Sequence, residues 1–538
     1  MAKNKHKSAL PNRQGANHSP RINKGYSETG ASYTRKALKG FTAKSGSPNE
    51  DINYNVRTLR ERSRILAMSG GLALSALKTN RTNVIGCGLI FKSAIDKDVL
   101  GLTDEEAKAW QDKTEKEFAL WAENKNHCDA IGMNDYYKMQ QLAFYNALMN
   151  GDVFTLMQRD EAAVNKLMPY SLRLNIVEAD RIQTPTSSGS RAIAVSTDGK
   201  NSTNGNRIYD GIEVNKQGKA IAIHVRNNYE WEMNAEPTEW KRVEIYGPKT
   251  GLYNVIHTMC DVERPGQYRG IPFIAPVIEM ILQIRRYTDS ELTAAVVESL
   301  FTAFVKTNTR DDELPLDTVN HGEEPIITDD TEYEMAPGNV IKLQPGEDVT
   351  FGDPKRPAGG FQNFIEAVAV QVGASLEIPK EMLLKQFNSS YSASRAALLE
   401  FWKLVKMRRE WFVSDWCRPI YENWLYEAVA RGRIKAPGFF DDPIKRMAWL
   451  GAEFRGPSQG MLDPTKEIQA EQMMCENGFS TRADSAIRLN GSEYEKNITA
   501  LKLENEKLYE VTIPQVKEPI QVGQVTPDNQ QQEANSET

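Results

Sequence analysis

Two amphipathic helices that bracket a polar insertion constrain this 538-residue chain more than any other feature. Residues 264–286 read RPGQYRGIPFIAPVIEMILQIRR. Pro265-Gly266 marks a turn, and Pro276 falls in a first helical turn, where proline is tolerated. Val277, Ile281 and Ile284 line one face, with Met280, Ile284 and Tyr287 on an adjoining one. This predicts a helix to about Leu300, roughly 36 Å long at ~1.5 Å per residue. Later, Phe361, Phe364, Ile365, Val368 and Val372 recur with helical period, and Ile378-Pro379 ends that run. Residues 306–355 between the two are polar, acidic and turn-rich, with strand-like pieces at Asn339–Leu343 and Asp348–Phe351. If the helices pack antiparallel, the insertion stands at the far tip of a hairpin.

A polar loop, Lys385–Ser392, leads into a helix expected to reach Arg431, nearly 60 Å at ~1.5 Å per residue, with a kink at Pro419. Its aromatic stripe of Phe401, Trp402, Phe412, Trp416 and Trp424 is read as core; the competing reading is a platform for stacking bases. Beyond Pro457 the chain reads helical and polar, with a helix over Asp463–Asn477.

Upstream, folded structure is expected from about Asn55. Arg57–Asn80 has helical spacing interrupted by Gly70-Gly71, and Asn83–Gly88 reads as a turn into a short strand. Thr103 with Glu106 forms a capping box for a helix over Leu102–Trp121, and a second helix is expected over Asn134–Met149. Strands are expected at Ser171–Val177, Tyr209–Val214, Lys219–Arg226 and Tyr253–Met259, with Asn215–Gly218 as a hairpin turn. Residues 55–260 thus read as a mixed α+β unit.

Composition excludes several classes. The longest apolar stretch, near Ile271–Leu282, is about 12 residues and holds two prolines and a glutamate, whereas a membrane span needs ~20 apolar residues. The five cysteines are widely spaced and form no CxxC pair, so they read as reduced thiols. The net charge of −6 argues against broad DNA binding through a basic face. The charge is uneven, because residues 1–48 hold ten Lys/Arg and one acid, Glu28. That stretch reads as a disordered basic arm, and 511–538 as a disordered tail.

Catalytic motifs are absent or broken. Gly247-Pro248-Lys249-Thr250 resembles the end of a phosphate-binding loop but lacks the upstream glycine. Gly456-Pro457-Ser458-Gln459-Gly460 fits GxSxG. A nucleophile elbow, however, needs a strand before the serine and a helix directly after it, and Lys445–Phe454 reads helical. The Asp441-Asp442 and Asp311-Asp312 pairs read as solvated loops. No cofactor and no metal are expected, and the chain is not expected to be an enzyme.

Several blocks, in order, resemble the lambda-like branch of the portal proteins of tailed bacteriophages: NVIGCGL (83–89), GIEVNKQGKAIAIHV (211–225), RPGQYRGIPFIAP (264–276), PGNVIKLQPGEDVTF (337–351) and YSASRAALLEFW (391–402), with Asp463–Glu467 near the end. The Gly70-Gly71 pair and the long arm depart from that pattern. The resemblance implies a multi-domain α+β portal fold of wing, two-helix stem, clip and helical crown, forming a ring around a central channel. After the arm (1–54), the wing would occupy 55–270, the first stem helix 271–300, the clip 301–355 and the second stem helix 356–381. A tunnel loop (382–392) would then lead to the long helix and the rest of the wing (393–456), followed by the crown (457–510).

The resemblance also implies a homo-oligomeric ring, usually of twelve subunits, at one capsid vertex, through which double-stranded DNA is packaged and ejected. Implied partners are the terminase large subunit, head-completion or adaptor proteins, and the major capsid and scaffold proteins, with no membrane. The expected localisation is the virion, and the host cytoplasm during assembly. Lys385, Gln386, Asn388, Ser389, Ser390 and Tyr391 would be the tunnel-loop residues that meet DNA. Glu279 and Glu366 are candidate stem acids lining the bore. Two alternatives stay open: a hydrolase using Ser458, and a DNA-binding protein acting through the basic arm.

Overall fold

The computed structural model describes residues 30–32, 35–185, 199–201, 203–233, 236–299, 303–307, 347–351, 360–387, 390–461 and 463–510. Most of the basic arm, the Asn339–Leu343 strand candidate, Asp311-Asp312 and the C-terminal tail lie outside them.

The first half runs α1 (Pro48–Ser69), α2 (Gly71–Val84), β1 (Ile90–Ser93), α3 (Lys97–Leu100), α4 (Asp104–Ala122), α5 (Lys125–Cys128), α6 (Tyr136–Asn150), β2 (Asp152–Arg159) and β3 (Leu172–Glu178). Then come β4 (Arg207–Tyr209), β5 (Ile212–Val214), β6 (Ala220–Arg226), β7 (Trp240–Glu244), β8 (Val255–Met259), α7 (Ile278–Ser299), β9 (Ala303–Thr307) and β10 (Glu347–Phe351). The remainder is α8 (Phe361–Ser375), α9 (Lys380–Leu384), α10 (Tyr391–Phe412), α11 (Arg418–Ala430), α12 (Pro443–Trp449), β11 (Ala452–Arg455), α13 (Pro464–Glu476), α14 (Arg482–Asn490) and α15 (Tyr494–Glu510).

Local signals explain the boundaries. The Thr103–Glu106 capping box forms as expected. A second box, Ser47 with Glu50 and with Pro48 in the first turn, starts α1 ahead of Asn55. Arg264 secures that start by pairing with Asp51 and donating to the Gly46 carbonyl at 3.0 Å. Gly70, at φ 85°, separates α1 from α2 in a conformation that side chains resist.

All named sheets are antiparallel. The order β3-β2-β8 makes β2 central, and β4-β5-β6-β7 forms a four-stranded meander. The expected Tyr209–Val214 strand is divided by a turn at Asp210-Gly211. Where Lys445–Phe454 was expected to be helical, α12 stops at Trp449 and β11 pairs with β1, because Gly451 approaches the Ala94 carbonyl so closely that a Cβ would stand 2.0 Å from it.

The main core joins α2, α4, α6, α8, α10, α11 and the β2–β3 pair, while a second, smaller core lies under the meander. Phe401, Trp402, Phe412, Trp416 and Trp424 are all buried in the main core, so the stripe packs the protein. Trp416 Nε1 donates to Thr155 Oγ1 of β2 at 3.0 Å, fastening the long helix to the central strand. That helix runs from Tyr391 to Ala430, but a π-helical segment, Val413–Cys417, interrupts it. Pro419 lacks an N–H and crowds the carbonyl four residues back. The wider π turn lies in that stretch, where a simple proline kink was expected.

Chain direction supports the hairpin of long helices. The chain leaves along α7 into β9 and returns through β10, paired antiparallel to β9, into α8. Tyr287 of α7 meets Phe361 and Phe364 of α8 at ring-centroid distances of 5.6 and 4.5 Å. Among the described residues no helix is long and apolar enough to cross a membrane.

Candidate functional site

The polar connection between α8 and α10 is built on a tight corner. A Cβ on Gly373 would stand 2.4 Å from the Ile378 carbonyl, so glycine lets the chain fold back on α8. Leu376, Ile378 and Leu383 are buried and anchor the corner. The short α9, absent from the sequence expectation, ends at Lys385 in the left-handed conformation, φ 58°. Helix α2 holds this end: Ser75 donates to the Leu383 carbonyl at 2.6 Å and Lys385 Nζ donates to Thr79 Oγ1 at 2.8 Å. Partial burial lowers the Lys385 pKa.

Of the expected tunnel-loop residues, Lys385 is exposed, with its ammonium tied to Thr79 on α2. Gln386 is exposed. Ser390 caps α10 by accepting from the Ala393 N–H at 3.4 Å, and Tyr391 opens the helix. Asn388 and Ser389 lie outside the described residues. The two stem acids make local contacts of their own. Glu366 on α8 pairs with Lys380, while Glu279 on α7 is exposed and accepts from Gln283 at 3.2 Å.

The RPGQYRG block proves to be a buried clamp. Arg269 is fully buried. Its Nε donates to Asp152 Oδ2 at 2.7 Å, Nη1 to the Ile182 carbonyl and to Asp210, and Nη2 to the Ala179 carbonyl at 2.9 Å. Gln267 shapes the turn, accepting from the Glu263 and Arg264 N–H groups and donating to the Arg269 carbonyl. The Gly151 and Gly270 backbones touch, since a Cβ on Gly270 would lie 2.0 Å from the Gly151 carbonyl oxygen.

Asp152 also receives Arg60 at 3.1 Å, the Gly270 N–H at 3.1 Å and His257 Nε2 at 3.3 Å. Burial alone would raise its pKa, but Arg269, Arg60 and His257 outweigh that and hold the carboxyl well below its usual range. Burial lowers the His257 pKa, aided by the two arginines. The cluster ties α1, β2, β8 and the segment entering α7 together. Sequence reasoning missed Arg60, Asp152 and His257. The available signal was a charged residue at the head of the apolar run Val153–Met157 and another within the buried face of α1.

The two catalytic near-motifs gain no machinery. Gly247–Thr250 is the turn between β7 and β8, closed by a Tyr246–Tyr253 bridge. Ser458 follows β11, but no helix follows it directly. It lines a cavity of about 500 Å³ with Arg395, Lys406, Arg409, Glu467 and Arg488, and no histidine. The histidines among the described residues are engaged elsewhere: His127 with the Leu120 carbonyl, His224 with Glu213, and His257 with Asp152. Among the described residues no cluster of three His, Cys, Asp or Glu is placed to hold a metal ion.

Comparison with known proteins supplies the class, that of phage portal proteins. The family described as phage portal protein, lambda family, matches residues 34–409. The chain belongs to that family. Portal protein B of Escherichia phage lambda is 22% identical over 477 residues, covering 85% of each chain. The portal protein of Escherichia phage N15 is 22% identical over 484 residues, covering 85% of this chain and 86% of that one. Among solved structures, the neck of a native gene transfer agent particle computed with C12 symmetry shares 11% identity. The TM-score is 0.37, over 82% of this chain and 94% of that one.

Proposed function

We propose that this protein is the portal subunit at one capsid vertex of a tailed phage, a homo-oligomeric ring whose bore passes double-stranded DNA during packaging and ejection. The family match over residues 34–409 carries the reading. The ring has twelve copies. The α+β body with the long helix is its wing, α7 and α8 are its stem, the excursion through β9 and β10 is its clip, and α13–α15 are its crown. The terminase large subunit and then the head-completion proteins dock at the clip, and the capsid and scaffold proteins surround the wing. The subunit works in the virion after assembly in the host cytoplasm. It is a conduit and not an enzyme, since ATP hydrolysis belongs to the terminase.

The charge supports a sliding contact. An acidic ring repels phosphates, whereas many Lys/Arg contacts would make DNA bind tightly and with strong salt dependence. Gln386, Asn388, Ser389, Ser390 and Tyr391 form the part of the loop that meets DNA, with Lys385 as the anchor at its base. Glu279 and Glu366 lie near the bore. Deleting residues 386–391 is expected to leave rings intact while impairing packaging or DNA retention. Normal infectious particles from that variant would contradict the loop's role.

A further inference from the structure

The GPSQG turn that fails as a nucleophile elbow is built against a cationic recess. Arg395, Trp402, Lys406 and Arg409 fall at i, i+7, i+11 and i+14 of α10, which is one helix face. That face forms one wall of the cavity of about 500 Å³. Residues 456–460, directly after β11, form a second wall, and α13 and α14 supply the rest. Gly456 lets the turn reach the helix, since a Cβ there would stand 2.7 Å from the Arg409 guanidinium. The Trp402 ring lies 5.6 Å from the same guanidinium.

The chain is acidic overall, at −6, yet this recess gathers five cations against two acids, Glu467 and Glu471. Three of the arginines are matched: Arg395 by Glu467 at 3.4 Å, Arg488 by Glu471 at 3.0 Å and Arg455 by Glu453 at 3.2 Å. Lys406 and Arg409 have no carboxylate partner among the described residues. Arg409 donates from Nε to the Val84 carbonyl at 2.9 Å and from Nη2 to the Asn83 carbonyl at 2.8 Å, capping the end of α2. Its Nη1 makes no bond among the described residues, and burial lowers its pKa to about 10. The side chains of Ser458 and Gln459 line the same recess and also make no hydrogen bond among the described residues.

Two walls thus bring unused donors together: an ammonium and a guanidinium from α10, a hydroxyl and an amide from the turn. Phosphate oxygens accept charge-assisted bonds from such groups, and the planar guanidinium suits them in particular. An anion would also supply the counter-charge that Arg409 lacks. The volume lies within the ~300–1,000 Å³ of small-molecule sites, which admits a mononucleotide and no duplex. Met474, Ile487 and Leu489 give the remaining lining an apolar side.

We infer that this recess binds the phosphate group of a small molecule no larger than a mononucleotide. Lys406, Arg409 and Ser458 hold the phosphate, and Met474, Ile487 and Leu489 pack against whatever it carries. The ligand bridges α10 to the turn and to α13, so its binding fastens α13 to the body. The inference stands on the cavity alone and does not need the ring reading.

The test is calorimetric titration of the full-length protein with deoxyadenosine monophosphate, inorganic phosphate, deoxyadenosine and a short DNA duplex without terminal phosphates. The monophosphate and inorganic phosphate are expected to bind and to compete, and deoxyadenosine to bind at least tenfold more weakly than its monophosphate. Lys406→Gln with Ser458→Ala, which leaves the α2 cap in place, is expected to weaken the monophosphate at least tenfold. Lys403→Gln, on the same helix outside this cavity, is expected to bind like wild type. Hydrogen exchange on the wild type serves as a second measurement that needs no variant: the monophosphate should slow exchange in 456–460 and in α13. Absence of binding by both phosphates, binding of the duplex alone, an unaffected double variant, or protection confined to other segments overturns the site.

Discussion

Arg269 grips Asp152 with two nitrogens, Nε at 2.7 Å and Nη2 at 3.3 Å, and both side chains are closed to solvent. Breaking a buried pair by removing one partner costs far more than the pair's net contribution, because a charge remains without compensation. Asp152→Ala strands both Arg269 and Arg60, and is expected to destabilise the subunit by about 3–5 kcal/mol. Denaturant unfolding measures it; a change under about 1 kcal/mol contradicts the clamp's role.

Gly270 is expected to accept no side chain. Its absent Cβ would overlap the Gly151 carbonyl at 2.0 Å, and both partners are backbone. Gly270→Ala should therefore cost at least ~1–3 kcal/mol, the range for overpacking. The same unfolding curves report it, and an unchanged midpoint would show that the two backbones separate easily.

The cluster also sets a pH dependence. Burial lowers the folded-state pKa of His257 below its unfolded value. A depressed pKa means that the unfolded chain binds the proton more readily, so stability is full above the unfolded value of ~6.5 and declines as pH falls below it. Asp152 adds a second decline at more acidic pH, since its carboxyl must be protonated against two arginines. Thermal midpoints between about pH 7.5 and pH 5 should fall for the wild type. His257→Gln should flatten that slope; a parallel slope in the variant would assign it to other groups.

Trp416 tests the role of the aromatic stripe. It is fully buried, stacks on Phe412 at 5.3 Å and donates to Thr155. Trp416→Ala should cost about 3–5 kcal/mol. A loss of DNA contact with stability unchanged would restore the base-stacking alternative.

Legibility in the sequence followed the physics of each element. Helices with a cap, such as α4 with Thr103, or with a clear helical period, such as α8 with Phe361 and Phe364, could be read because their signals are local. Strand β2 could not: buried along most of its length, Asp152-Val153-Phe154-Thr155-Leu156 shows no alternation. The short α9 was hidden in a stretch that composition marks only as polar. Arg264–Arg286 was visible as a turn and a helix, and the resemblance placed it at the entry to the stem. Its chemistry was not visible, because Arg269 finds Asp152, Asp210 and Ala179 only through the tertiary fold. The stretch from Lys385 to Ser392 reads as polar from its composition, whereas the bond that ties Lys385 to α2 depends on Thr79, more than 300 residues earlier.

Electron microscopy of the purified full-length protein tests the central claim most directly. A portal subunit is expected to give closed rings with a central hole, of one uniform subunit number near twelve. Particles that remain monomeric at all concentrations and with scaffold and capsid proteins present would contradict it.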